Sequence, residues 1–520
     1  MISQLKAGAV LSFIALVLNS VVSLLYTPVM LQTLGQAEYG LFVLGTSTIG
    51  YIGILNFGLG NAVIRYIAKY KVMNDDDGES RLYGMFTIMY AILGLLAFVV
   101  GMVITFSADS LFGGSLSPAE LDKIQTLMFI TVLNLTLSIA LGVFSFIILA
   151  HEKFIFQKFI VIIGAVSSPL ISWPFLLKGY DSVAIITITT LVNMAVIACN
   201  IYFCFKVIKI KISFKRMEIS LIKEVLFFSS FLFINLIVEK IYWSTDQIIL
   251  GVFTGTVAVS IYALGASFSG YFAGFSQAIC NVFLARVSGM VARNARDEEL
   301  SNLFIKIGRI QFIVLSFALS GFVVFGYEFI DLWIGKEYEA SYVIAILIAV
   351  PLIISLMQEM GNIILQAKNI QKFKTFVYLG VAIFNVVLSL LLVGRWGALG
   401  CAIATAVAFL VNLLIMNIYY WKKIHLDVPK FWLEILKMSF PFVATLTIGL
   451  YINDMLPMGS WSLFFLKISV FSMMFLTLMW FAGMNTYEKQ LTRSLLNRFL
   501  PQSHNFRAGS HKNGQQSHKF

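Results

Sequence analysis

Charge is what this chain has least of. Asp, Glu, Lys and Arg supply 12% of its 520 residues, about half the usual share of about 25%. That leaves too little polar surface for a water-soluble enzyme of this length. Cysteine is scarce too. The four, Cys199, Cys204, Cys280 and Cys401, show no C-x-x-C spacing, which argues against a disulfide or zinc framework and for buried, inert thiols. The five histidines (151, 425, 504, 511 and 517) lack metal-site spacing. No G-x-x-x-x-G-K-[ST] stretch occurs, so no internal nucleotide motor is visible. The acidic run "NDDDGES" (74–80) lacks the alternation and closing Glu of a calcium loop and reads as a solvated connection. No cofactor or metal is expected.

What is present in excess is apolar sequence. Hydrophobic residues make up 59%, and the mean hydropathy is +0.88. Spanning a bilayer takes about 20 predominantly apolar residues. Fourteen such runs can be drawn, at 8–33, 38–66, 83–106, 126–149, 156–177, 182–204, 224–250, 257–284, 308–330, 342–366, 374–394, 398–420, 433–453 and 461–483. Lipid offers no partner to backbone N–H and C=O groups, so each must be a helix. The expectation is an all-α integral membrane protein with about 14 transmembrane helices. The first run is far longer than a signal-peptide core of about 7–15 residues and reads as a retained span.

Lysine and arginine orient the chain. With a cytosolic N-terminus, the segments on that side hold 31 of the 37 basic residues. The opposite loops hold Lys123, Lys178, Lys336 and Arg395, and Lys240 and Lys467 fall within spans. The net charge of +11 is thereby explained by orientation and by anionic lipid heads rather than by nucleic acid. Both termini are expected on the cytosolic side.

The chain repeats itself. "LGTSTIGY" (44–51) returns as "LGASFSGY" (264–271), and the same ungapped register pairs Gly35 with Gly255 and Asn61 with Asn281. Six spans separate the copies, an even number, so both point the same way through the membrane. That predicts two parallel six-helix lobes related by an axis along the membrane normal. The expected boundaries are 1–210 and 211–422 for the lobes, 423–484 for two appended spans, and 485–520 for a disordered cytosolic tail. A weaker register pairs Gly179 with Gly394 and Thr190 with Thr405.

Ionisable groups inside spans cost roughly 2.5–3.5 kcal/mol each, so they demand a reason. The densest set lies in "IVEKIYWSTDQIIL" (237–250). Glu239 and Asp246 are seven apart and share a helical face with Trp243, with Lys240 about 100° away. Either they line a cavity, or they neutralise one another. Arg65 and Arg286 end the two repeated spans. They are either ordinary snorkelling cations or a pair that meets anionic head groups. Glu359 joins the candidates, with Asn362 and Gln366 on a neighbouring stripe. Asn56, Asn61, Asn281, Asn385 and Asn412 could read sugar hydroxyls or bond neighbouring helices. Lys467 is expected to snorkel. Gly45, Gly50, Gly53, Gly58 and Gly60 are expected to pack helices closely.

Several stretches give the chain a likeness: "LGQAEYGLF" (34–42), "ILNFGLGNAVIRYIAKY" (54–70), "STDQIILG" (244–251), "DLWIGKEYEAS" (331–341) and "GALGCAIATA" (397–406). Together they resemble the polysaccharide transporters of the multidrug/oligosaccharidyl-lipid/polysaccharide superfamily, in particular the O-antigen (Wzx-type) flippases. The resemblance implies two lobes in a V, as in multidrug exporters of that superfamily, plus two C-terminal helices. It implies export of undecaprenyl-diphosphate-linked oligosaccharide to the outer leaflet through an often cationic lumen. A polysaccharide polymerase and chain-length machinery become possible partners. The first span here carries no arginine, which leaves Lys240, Arg65 and Arg286 as the cations for a diphosphate, with Trp243, Asn61 and Asn281 beside them. Asp246, Glu239 and Glu359 then become candidates for coupling to H⁺ or Na⁺. A cation-coupled small-molecule exporter and a membrane-embedded polymerase are the alternatives, the second disfavoured by short outer loops.

Overall fold

The computed structural model describes residues 2–215, 219–456 and 459–499, all in helices and short connections, with no strand among them. The first lobe runs α1 (Ile2–Gly50), α2 (Leu59–Val72), α3 (Asp76–Phe106), the short α4 (Ala108–Phe112), α5 (Pro118–Leu141), α6 (Val143–Ala150), α7 (Phe154–Leu177) and α8 (Ser182–Tyr202). The second runs α9 (Ile219–Phe253), α10 (Thr256–Asn281), α11 (Leu284–Ala292), α12 (Asp297–Ile334), α13 (Ala340–Leu356), α14 (Glu359–Ala367) and α15 (Lys372–Lys422). Then come α16 (Val428–Met455), α17 (Trp461–Leu478) and α18 (Thr486–Phe499).

Local chemistry sets the ends. Ser117 and Glu120 form a reciprocal capping box before α5, with Pro118 in its first turn. Asp75, Asp427 and Ser460 accept amide hydrogens at the starts of α3, α16 and α17.

Ten helices among the described residues are long and apolar enough to cross a membrane, eleven if the pair α13–α14, bent by 45°, counts as one span. The sequence shows fourteen apolar runs, and the two counts differ for identifiable reasons. α1 carries two runs across a kink at Gly35, and α15 carries two across Gly397. The run 224–250, in α9, includes side chains outside those described and is not in the count.

The repeat has a backbone counterpart. Gly35 (φ 76°, ψ 173°) and Gly255 (φ 94°, ψ −176°), paired by the 220-residue register, adopt the same left-handed conformation. A side chain there would be strained. In the weaker register, Gly179 has a positive φ and Gly394 does not; Gly397, three residues on, does. The apolar runs also hide interruptions. The run 38–66 breaks into a 3-10 turn, Tyr51–Asn56, followed by Phe57 and Gly58 at positive φ. The run 257–284 breaks after Asn281, the run 126–149 at Gly142, and the run 342–366 after Leu356. Each lobe thus has two broken spans, in corresponding positions.

The lobes are sealed at the end away from the basic loops. A Cβ on Gly40 would stand 1.9 Å from the Thr256 carbonyl oxygen, and one on Gly251 would stand 2.3 Å from Leu44. Ser115 donates to the Gly251 carbonyl, Thr256 donates to Glu120 at 3.0 Å, and the Trp333 indole donates to the Leu24 carbonyl at 2.8 Å. Buried Leu41 and Leu44 from α1 share one core with Leu250, Val259 and Tyr262 of the second lobe.

Two buried charge clusters pin the appended helices to α12. Lys467 is not a snorkelling cation. It is 3% exposed and pairs with Glu328 at 2.9 Å, with further bonds to Asn453 and the Leu456 carbonyl. Lipid would leave that ammonium unsolvated, and the pair offsets the cost. Arg309 bonds Glu488 of α18 at 2.6 Å and Glu434 of α16 at 2.7 Å. All four cysteines are free. Three are buried, but Cys199 is exposed.

Candidate functional site

α9 presents two different environments along one face. Glu239 and Trp243 border a cavity of about 430 Å³. Its walls come from the second lobe alone: Gln277 of α10, Ser355 of α13, Glu359 and Asn362 of α14, and Lys374 of α15. Asn362 donates to Glu359 at 2.8 Å and accepts from the Tyr420 hydroxyl at 2.9 Å, so the carboxylate is held from behind. The Tyr242 and Phe409 rings, both on the cavity wall, stack at 5.5 Å. Asn412 also lines the wall, and its buried Oδ1 meets no donor among the described residues. A buried amide oxygen without a partner is uncommon and invites a ligand hydroxyl or water.

Asp246 does not share that cavity. It is 3% exposed and accepts from Ser389 and Thr405, each at 2.8 Å, and from Tyr262. Asn385 extends the cluster through Thr405 and Ser389, both at 3.3 Å. The seven-residue spacing placed Glu239 and Asp246 on one face; the packing of α9 on α10 and α15 buries only the second. No Lys or Arg pairs with Asp246 among the described residues, so the cluster is a carboxylate ringed by neutral oxygens.

The other candidates are dispersed. Lys240 sits at the junction of the lobes. Its ammonium is 3.5 Å from the place of a Cβ on Gly50, and its carbonyl accepts from Tyr51. Asn61 and Arg65 are exposed on α2, as is Asn281 at the end of α10. Arg286 lines a second, separate cavity at the basic end. The site residues that sequence reasoning passed over are Lys374, Gln277, Tyr242, Tyr262 and Ser389. Asn385 and Ser389, a polar pair four apart in an apolar run, carried a signal for the last.

Two parallel lobes with broken spans, a polar recess inside the bundle and a seal at one end define a membrane transporter of the lobed exporter and flippase class. The comparisons narrow it. The chain belongs to a family described as "Polysaccharide biosynthesis protein", which matches residues 5–284. It is 21% identical over 391 residues to a "Putative O-antigen transporter" of Shigella flexneri, covering 74% of this chain and 90% of that one. It is 26% identical over 205 residues to a "Probable low-salt glycan biosynthesis flippase Agl15" of Haloferax volcanii, but that match spans only 39% of this chain and 43% of the relative. Among solved structures the fold is similar to "Lipid II flippase MurJ, inward closed conformation" (TM-score 0.70, 16% identity, 94% of this chain and 99% of that). It is also similar to a multidrug resistance MATE family transporter. The inward-facing form of a MATE transporter gives a TM-score of 0.66 (14% identity, 79% and 95% covered), and an outward-facing form gives 0.55 (14%, 82% and 96%). The relatives are flippases and transporters rather than enzymes.

Proposed function

We propose that the protein flips a polyprenyl-diphosphate-linked oligosaccharide across the bacterial inner membrane, from the leaflet at its basic, cytosolic end to the opposite one. One observation carries the reading: α13 and α14 divide a polar recess from an apolar one. Glu359, Asn362 and Ser355 face the 430 Å³ cavity, while Ile353, Ile354 and Met357 line a groove of about 800 Å³ against α12 and α16. An amphiphile needs both surfaces. Amides, carboxylates and the Tyr242–Phe409 stack suit sugars, and Trp432, Leu436 and Phe442 suit an isoprenoid chain. Lys374, on the cavity wall, and Lys240, between the lobes, are the candidate cations for the diphosphate, since that charge needs compensation in a low dielectric.

In this reading the lobes, at about 1–210 and 211–422, rock so that the seal near Gly40 and Thr256 breaks as the basic end closes, opening each end in turn. The Asp246 cluster supplies the drive in this reading. A buried carboxylate without a cationic partner must hold a proton or a cation. Its ring of hydroxyl and amide oxygens is a hard donor set that suits H⁺ or Na⁺. Glu239 and Glu359, in the recess, then serve the substrate rather than the ion.

The test is accumulation of lipid-linked repeat units in a deletion strain. Wild type should clear them, and Trp243→Ala with Glu359→Gln should not. Restored clearance by the double variant would overturn the cavity assignment. Export of cationic dyes by the wild type, with no effect on repeat units, would favour the small-molecule exporter instead.

A further inference from the structure

A second recess lies outside the one assigned to the substrate. It encloses about 530 Å³ between α11 and the first turns of α12, at the basic end. Arg286, Arg293 and Lys306 converge on it, with Asn302 and Glu299. Glu299 is taken by Arg293 at 2.7 Å. No carboxylate pairs with Arg286 or Lys306 among the described residues, so the recess keeps two uncompensated positive charges. Lys306 is fixed as well as charged. Its ammonium lies 3.2 Å from the centre of the Tyr487 ring of α18, a cation–π contact. α18 is in turn held by the buried Arg309–Glu488 pair at 2.6 Å. Basic residues spread over a cytosolic face only orient a chain. Here they are gathered in a concavity, one is immobilised, and an amide is added.

We infer that this recess is a binding site for a phosphate-class anion, distinct from the translocation cavity. Arg286 and Asn302 donate to the phosphate oxygens, and Lys306 supplies a point charge. The phosphate group is common to two sources, the head group of an anionic lipid and a free phosphate or diphosphate. Lys306 also joins the recess to α18, through Tyr487. The inference stands on this local geometry and does not need the flippase reading.

The test uses the full chain in nanodiscs of phosphatidylcholine. One arm titrates inorganic pyrophosphate by calorimetry. The other replaces a tenth of the lipid with phosphatidylglycerol and counts retained molecules by native mass spectrometry. Binding in either arm should weaken about tenfold or more in Arg286→Gln and again in Lys306→Gln, each removing one charge-assisted contact. Glu299→Gln should tighten it, because Arg293 is then released to the ligand; a merely structural role would not produce that gain. Pyrophosphate binding identifies the phosphate group alone as sufficient, and retention of phosphatidylglycerol without it identifies a lipid head. Binding in neither arm overturns the site. So does binding that the Arg286 and Lys306 substitutions leave unchanged.

Discussion

The two lobes share a backbone plan and differ in what they bury. Both start their repeated helix from a left-handed glycine, Gly35 and Gly255, and both break two spans near the basic end. Inside the first lobe, α8 is joined to α5 and α7 by neutral groups. Asn193 donates to Asn134 and Ser138, both at 2.6 Å, and Ser168 bonds Thr189 at 2.8 Å. The second lobe adds carboxylates: Asp246 in its core, and Glu239 and Glu359 around its cavity. Duplication preserves what helix packing demands, while the cost of burying charge is met only where it is put to use. In the alternating-access reading proposed above, the second lobe carries the ionisable site groups and the first is the surface it moves against.

The largest effect should come from erasing that difference. Asp246→Asn keeps the side chain's volume and leaves one oxygen, either for Ser389 or for Thr405 and Tyr262, but it removes the ionisable group. Clearance of lipid-linked repeat units is expected to fall to the deletion-strain level, with the variant still inserted and folded. Asn193→Ala, the matching truncation in the first lobe, should retain most of the activity. Equal loss in both would end the claim that the lobes have divided their roles.

Next is the charge that works structurally. Removing one partner of a buried pair costs about 3–5 kcal/mol, whereas replacing both by apolar groups is often neutral. Lys467→Ala should therefore lower the thermal unfolding temperature sharply. Lys467→Met with Glu328→Leu should recover most of that loss. Failure of the double variant to recover would mean that the Asn453 and Leu456 bonds, not the pair, hold α17 in place. A smaller effect is expected at the seal. Gly40→Val forces a side chain onto Thr256, with an overpacking cost of about 1–3 kcal/mol. Spin-label distances between Gln36 and Glu337, whose groups now bond across the lobes, should lengthen.

The sequence carried the architecture well because membranes constrain it so strongly. Apolar runs, the lysine and arginine asymmetry and the 220-residue register are all linear signals. Backbone breaks are not, since hydropathy is blind to the turn at Tyr51–Asn56 inside an unbroken apolar run. Pairings across long separations were equally hidden. Lys467 read as a snorkelling residue because Glu328 is 139 positions away. Glu239, Trp243 and Glu359 were all legible as costly or amphipathic residues, and they meet in one cavity. Asp246 was legible by type but not by place, since helical phase gives a face without saying what packs there.

The smallest effect sharpens the same comparison from the first lobe's rim. His151 lies beyond the apolar span of α5–α6, with Nε2 2.7 Å from the Tyr83 hydroxyl and 3.1 Å from Glu79, and Nδ1 3.4 Å from Lys71. Burial, then the positive charge of Lys71 and Lys153, holds its pKa below the ordinary value, against the pull of Glu79. The folded chain therefore takes up this proton later than the unfolded chain as pH falls. The stabilisation is complete above the unfolded value of about 6.5 and is lost as pH drops through the lower folded pKa. Wild type should lose thermal stability between pH 7.5 and 5.5, and His151→Gln, with no proton to gain, should lose less. The contrast should be absent above pH 7.5, where both histidine states are neutral. If the two proteins declined in parallel, the acid response would belong to other groups, and the first lobe would keep no titrating element of its own at this rim.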